Sequence, residues 1–555
     1  ADLEGESATN LSSIRATWAS GNAGAVGMEI RAGNGAPPVF DLTVDHIYVT
    51  QAAQTLNDSE ALIAGRPALV RVFVRATLNS ASVPSVRLSF NNGSTLLSSV
   101  NIAGTVPAPT VLNEGDLSTT WNYSVPGSLV QSGISITAEV DPDQLITEGN
   151  EGNNTLTFVE PVRTTAPQSY RFVPIKQTGN GLTGNVTSAN LSTYGDTAYR
   201  LFPITQPALS LHATYTTSTN VDANTDAVWT QILSEIDALR VAENSPATYV
   251  GVVRITYTVG ITGIGYIGRP TAVVYDDQTW RGVTVAHELG HTYNRQHAPG
   301  CGAGSPDKNY PYAGGIDGVY GTDVFSSPAL LYAPTIHDIM GYCDDNWISD
   351  YTYNGILNYI ATSNLMAAAL PAQHSILVWG SIVNGLPYLE PAFVLTTQPA
   401  APSAVGSYRV QGLDKDGAVL FTQAFEPTAV ADVRIGEAST FAFALPLSDA
   451  TQSQLVSLRL VGRGAQFLRA MTAAGPQGVA PVPAQGAVQS WQGNRATITW
   501  DTSAAPLVMV RDVASGQVLS IGRGGRVEVE TRGGELDLLM SNGVASTVQR
   551  LKPTR

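Results

Sequence analysis

His287, His291 and His297 fall within the string His287-Glu288-Leu289-Gly290-His291-Thr292-Tyr293-Asn294-Arg295-Gln296-His297, which constrains the fold more than any other feature of the 555-residue chain. Residues four apart on an α-helix project from one face, one turn apart, so His287 and His291 can chelate one zinc ion through neutral imidazoles if this segment is helical. Glu288 then stands beside them, where its carboxylate can take a proton from a water at the ion and pass it to a departing amine. A third ligand at His297 requires the helix to stop and the chain to turn sharply. Asn294 marks that turn, because Asn is the commonest non-Gly residue in the left-handed conformation that ends helices. Only seven His occur in the chain. At that frequency a His-Glu-x-x-His string arises by accident on the order of a few times in a thousand such chains, and requiring His297 lowers this roughly a hundredfold more. His46, His212, His337 and His374 are isolated in the sequence and read as structural.

The composition restricts what surrounds this helix. With 43% hydrophobic residues the chain has ample material for cores, and its 53 Gly and 32 Pro, without a three-residue period, suit short strands joined by tight turns rather than an all-helical protein. A net charge of −15 repels phosphate backbones and disfavours nucleic-acid binding. No stretch approaches the ~18 consecutive apolar residues of a membrane span. The sequence begins at Ala1 without an initiator Met, which reads as a secreted product whose signal peptide has been removed. Cys301 and Cys343 are either two thiols or a disulfide closing a loop of ~40 residues, worth a few kcal/mol in an oxidising compartment.

Residues 1–38, rich in Ser, Asn, Gly and Ala, read as an arm or linker. From 39 to 165, period-two alternation in Asp45–Thr50, Ala68–Arg75 and Ile134–Val140, with a turn at Asn91-Asn92-Gly93, predicts a sandwich of about seven strands. The acidic stretch from Asp141 to Asn154 lacks the alternating ligands of an EF-hand and reads as a sharp turn; calcium sites are otherwise not legible. Together with Leu62-Ile63-Ala64-Gly65-Arg66-Pro67, this stretch resembles the bacterial cell-adhesion-related (CARDB) domain, an immunoglobulin-like module. From 166 to 368 strands alternate with helices, the clearest helix running from Asp226 to Val241, which predicts a twisted sheet backed by helices. Ile261 to Val274, dense in Gly and broken by Pro270, suits an exposed edge strand. Strand patterns return in a β-sandwich module at 369–482 and a small β module at 483–555.

His287-Glu288-x-x-His291-x-x-Asn294-x-x-His297 resembles the zinc signature of the metzincin metalloproteases, departing from it at Asn294, where the family carries Gly. Metzincins also have a tight Met-turn beneath the ligands, and Asp338-Ile339-Met340-Gly341-Tyr342 is similar to it. The resemblance implies an α/β catalytic domain with an active-site helix, one catalytic Zn²⁺, and Tyr342 as a donor to the oxyanion. Among metzincins the long insert and flanking β modules look most like large secreted bacterial proteases of the mucin-cleaving or gametolysin type. A Cys301–Cys343 bridge would join the segment after the third ligand to the Met-turn.

The expected activity is therefore that of a secreted zinc endopeptidase, monomeric or surface-attached, acting on proteins or glycoproteins. An extended substrate would pair antiparallel with the edge strand around Ile264, Gly265 and Tyr266, and the insert from Gly300 to Tyr332 would contribute side-chain pockets. The alternative is a surface adhesion or glycan-binding protein on a metzincin scaffold without turnover; a hydrolase of a non-peptide bond is a third reading.

Overall fold

A computed structural model describes residues 14–20, 26–32, 39–363, 371–433, 437–472, 487–531 and 533–553. The arm expected at 1–38 lies mostly outside these residues, although Ile14–Ser20 and Val26–Ala32 pair as antiparallel strands. The boundaries expected near 368 and 482 also lie outside them. The chain divides into two compact units, one of residues 1–164 with 322–333 and one of residues 165–321 with 334–555.

The first unit is an antiparallel sandwich. One sheet orders Leu42–Thr50, Ala68–Ala76 and Trp121–Val125; the other orders Thr155–Val159, Ile134–Val140, Val86–Asn92 and Thr95–Ile102. Period-two patterning places Ile134, Ile136, Ala138 and Val140 inward, against a core that includes Val70, Val72, Leu88 and Phe90. Asp141 adopts a left-handed backbone (φ 47°), and its carboxylate accepts the N–H groups of Leu145 (3.2 Å) and Ile146 (2.8 Å). This is the turn chemistry expected of the acidic stretch.

The second unit is built on a ten-stranded sheet. Its order runs from Gly263–Gly265 at the rim through Thr271–Tyr275, Thr248–Val253, Ser169–Gln177 and Tyr215–Thr217 to Val518–Gly522 and on into three further C-terminal strands. Thr248–Val253 pairs in parallel on both sides and is buried at every position, as its unbroken apolar run requires. Four helices accompany the sheet: α1 (Ser192–Leu201), α2 (Asp226–Ala242), α3 (Arg281–Thr292) and α4 (Asp350–Ser363). Thr225 caps α2 by accepting from the Val228 N–H. Trp229, Ile232, Ile236 and Leu239 of α2 join the main core.

The stretch from Ile261 to Val274 is not a single exposed edge strand. It forms two antiparallel strands, Gly263–Gly265 and Thr271–Tyr275, with Gly268 (φ 76°) and Pro270 in the connection, and Ile264 and Tyr266 are fully buried. Val518–Gly522 and its neighbours extend the same large sheet, through the parallel pairing of Thr216 with Ser520.

Candidate metal centre

Helix α3 carries His287, Glu288 and His291, all buried, and its end fixes where the third histidine goes. The Asn294 N–H returns to the His291 carbonyl (2.8 Å) and the Arg295 N–H to that of Gly290 (3.1 Å), with Asn294 left-handed at φ 64°. These two reversed bonds satisfy the last carbonyls of the helix and turn the chain, as read from Asn294 in the sequence. His297 then comes back to within reach of His287 and His291, and the rings of His291 and His297 meet edge-on at 4.8 Å.

Each imidazole is oriented by a backbone carbonyl. His287 Nδ1 pairs with the oxygen of Ile339 (2.8 Å), His291 Nδ1 with that of Arg295 (2.7 Å) and His297 Nδ1 with that of Gly304 (2.5 Å). A carbonyl only accepts, so each Nδ1 is the donor, and in the neutral ring Nε2 is left to face the centre. That is the outer-sphere arrangement of metal-bound histidine. Burial, opposed by a nearby carboxylate, holds His287 down to about 3, so its ring stays neutral.

The turn below the histidines does three jobs. Its Ile339 carbonyl sets His287, its Met340 carbonyl accepts the Ala298 N–H next to His297 (3.0 Å), and its Met340 side chain packs against α3 at Gly290. Asp338 stiffens it by accepting the Met340 N–H (2.8 Å). Cys301 and Cys343 form a disulfide, with Cα atoms 5.4 Å apart, that joins the segment after His297 to this turn. Tyr342 places its ring 5.0 Å from that of His297.

Glu288 lies beneath the rim strand. A Cβ on Gly263 would stand 2.2 Å from its Oε1 and one on Gly265 2.9 Å from its Oε2, so the carboxylate fits only because both positions are Gly. Oε2 has no hydrogen-bond partner, and burial, then the charge of Asp432, push the group well above the usual carboxylate range.

Asp432 is the residue that sequence reasoning missed. Its carboxylate lies 3.1 Å from His291 Nε2, 3.1 Å from His297 Nε2 and 3.8 Å from His287 Nε2, and it accepts the Tyr342 hydroxyl. His287 Nε2 and His291 Nε2 are 3.1 Å apart. Ligands held about 2.0–2.1 Å from a single ion at tetrahedral corners stand roughly 3.3 Å from one another; His291 meets one Asp432 oxygen and His287 and His297 the other, and the candidate donor atoms of the four residues lie within 4.8 Å of one another. The histidines hold Asp432 far below the usual carboxylate range despite its burial, and its charge in turn raises His297 against the effect of burial. Among the described residues, these four form one of two clusters able to hold a metal ion; the other contains the disulfide-bonded cysteines.

Asp432 arrives on a strand. Thr428 and Ala429 pair with Thr440 and Ser439 on one side. On the other, Ile267 N–H donates to Ala429 O (3.1 Å), Ala431 N–H to Gly265 O (2.9 Å), and Tyr266 pairs antiparallel with Val430. The rim expected to receive substrate thus already has a partner. Two cavities, of about 610 Å³ and 450 Å³, flank the centre; the first also reaches Gly302, Gly304 and Ser305 of the insert, and Asp432 and Tyr342 line both.

No protein-family model matches this chain, and neither does any curated protein. Among solved structures it is similar to a CARDB domain from Pyrococcus furiosus crystallised with two metal ions (23% identity, 22% of this chain and 94% of that one, TM-score 0.16). It is also similar to a β-glucuronidase of Parabacteroides merdae (8% identity, 92% of this chain and 78% of that one, TM-score 0.15). A β-glycosidase of Bacteroides vulgatus gives 8% identity over 92% of this chain and 79% of that one, with TM-score 0.16. Likenesses this weak leave both fold and function to the residues themselves.

Proposed function

We propose that the chain is a metzincin-like zinc endopeptidase of extracellular proteins or glycoproteins. The observation that carries this reading is the set of carbonyl-anchored histidines, whose Nε2 atoms converge beside a buried carboxylate. His287, His291 and His297 would hold the ion, which when bound supplies Lewis acidity and lowers the pKa of a water toward 7. Glu288, held apart from other partners at Oε2, takes a proton from the attacking water and returns it to the departing amine. Tyr342, once released from Asp432, donates its hydroxyl to the oxyanion. The rim at Gly265 and Ile267 offers the main-chain groups to which an extended peptide would bond. The disulfide is in keeping with an extracellular setting, and no helix among the described residues is long and apolar enough to cross a membrane.

Asp432 favours a second reading. Structural zinc sites are closed by four protein ligands, whereas catalytic ones keep one position open. A permanently closed site would make this domain a scaffold, and the β modules an adhesion or glycan-binding surface.

Metal content and product analysis separate the two. A protease contains one zinc per chain, loses it in His291→Ala, and cleaves casein or a mucin-type glycoprotein at peptide bonds identified by mass spectrometry. Glu288→Ala keeps the zinc and loses cleavage. Zinc without cleavage by any variant, the Asp432 variants included, supports the scaffold.

A further inference from the structure

The strand that delivers Asp432 meets the rim as a substrate would. It is extended, runs antiparallel to Gly265–Ile267, and exchanges main-chain hydrogen bonds with Gly265 and Ile267. β-augmentation of this kind is how a sheet edge binds a peptide without demanding sequence. The strand is also held from behind by Thr440, Ser439 and Ala438, whose own strand pairs with Gln373–Val383, so it is part of a folded sheet.

The end of the strand is specialised. Asp432 takes a left-handed backbone, φ 61°, which turns the chain at the end of the strand. Its carboxylate is 10% exposed. One oxygen approaches His297 and accepts from Tyr342; the other approaches His291. A carboxylate this deeply buried needs a cation or donors, and the surrounding groups are the three Nε2 atoms and one hydroxyl.

Building on the zinc-protease reading, we propose that the segment Thr428–Asp432 is an intramolecular occupant of the substrate cleft. Ala429, Val430 and Ala431 fill the rim in place of a peptide, and Asp432 takes the fourth position on the metal in place of water. The folded chain is therefore latent. It opens when this segment leaves the rim, which frees the metal position, the Tyr342 hydroxyl and the main-chain groups of Gly265 and Ile267 together. A tethered ligand competes at the effective concentration set by its fold, so any soluble ligand of the metal has its affinity multiplied by the fraction of open molecules, which is small.

The test uses the full-length protein loaded with cobalt(II), whose visible spectrum reports ligands without relying on turnover. Acetohydroxamate, a small metal ligand, is titrated into wild type, Asp432→Ala and Asp432→Asn, the last retaining the shape of the side chain should the alanine variant fold poorly. The expected result is binding to both variants at least about tenfold tighter than to wild type. Ala431→Pro, which keeps the carboxylate but removes the N–H donated to Gly265, shifts affinity in the same direction. Equal affinity in wild type and both Asp432 variants, with cobalt bound in all, overturns the proposal, and so does an Ala431→Pro variant indistinguishable from wild type. Casein cleavage is followed alongside. Tighter binding without cleavage by any variant sustains the occupancy of the cleft and sinks the protease reading; absence of stoichiometric cobalt sinks both.

Discussion

Gly290 lies directly against the thioether of Met340: a Cβ on Gly290 would stand 2.2 Å from Sδ. The second variable position of the His287–His291 string is therefore filled by Gly because the turn below the histidines approaches the helix there. Both residues are buried, so the crowding has no easy outlet. Gly290→Ala should destabilise the unit by about 1–2 kcal/mol, as overpacking outweighs the roughly 1 kcal/mol gained in helix propensity. In a Met340→Ala background the same change should be neutral or stabilising. Urea midpoints of the four proteins in this cycle check it; additive effects would contradict the contact.

Gly263 makes room for Glu288. Gly263→Ala places a Cβ 2.2 Å from Oε1 and must displace the carboxylate. In the Asp432→Ala background, turnover should fall by about 10²- to 10⁴-fold, the range for losing a general base, with zinc content unchanged. Loss of zinc instead would mean that Gly263 supports the ligands and not the base.

The Cys301–Cys343 bridge spans 42 residues. Loop-closure entropy for that span is about 4 kcal/mol, less whatever native strain it carries. A Cys301→Ser/Cys343→Ser variant should lose about 2–4 kcal/mol in chemical denaturation, and wild type under reductant should approach it. Equal midpoints with and without reductant would show that the bridge does not form in solution.

Asp317 is fully buried, and neither of its oxygens has a hydrogen-bond partner. Burial first, then the neighbouring Asp338, Asp350 and Asp345, push its carboxyl up to about 10. In the unfolded chain the group ionises near 3.9, so between about pH 4 and 10 the folded state binds the extra proton and stability falls as pH rises. Asp317→Asn should remove up to about 1.4 kcal/mol per pH unit of that slope and be more stable than wild type at pH 8. Denaturation at pH 5, 6.5 and 8 tests it; parallel profiles would show that the carboxylate is compensated.

What could be read in advance was whatever the chain carries within a few residues. Helix periodicity places His287 and His291 together, Asn294 ends α3 through its backbone preference, and α2 follows its apolar spacing. Met340 and Tyr342 needed the resemblance, since a lone Met or Tyr has no local signature of a site. Asp432 gave no signal at all. It is 135 residues beyond His297, in a stretch patterned like any other strand, and only the tertiary fold brings it to the histidines. The rim was misjudged for the same reason. Its Gly residues read as an exposed edge, whereas Glu288 fills the space beneath them and Ala429–Ala431 bond along it.

The parallel seam between Thr216 and Ser520 carries a practical warning. The large sheet is closed by residues 304 positions apart, and Val518 also donates its N–H to Glu243 at the end of α2. A recombinant fragment cut after α4 would leave the Tyr215–Thr217 strand with unpaired N–H and C=O groups on its open side. Such an edge is a template for intermolecular pairing, so the isolated middle of this chain should precipitate where the whole stays dispersed.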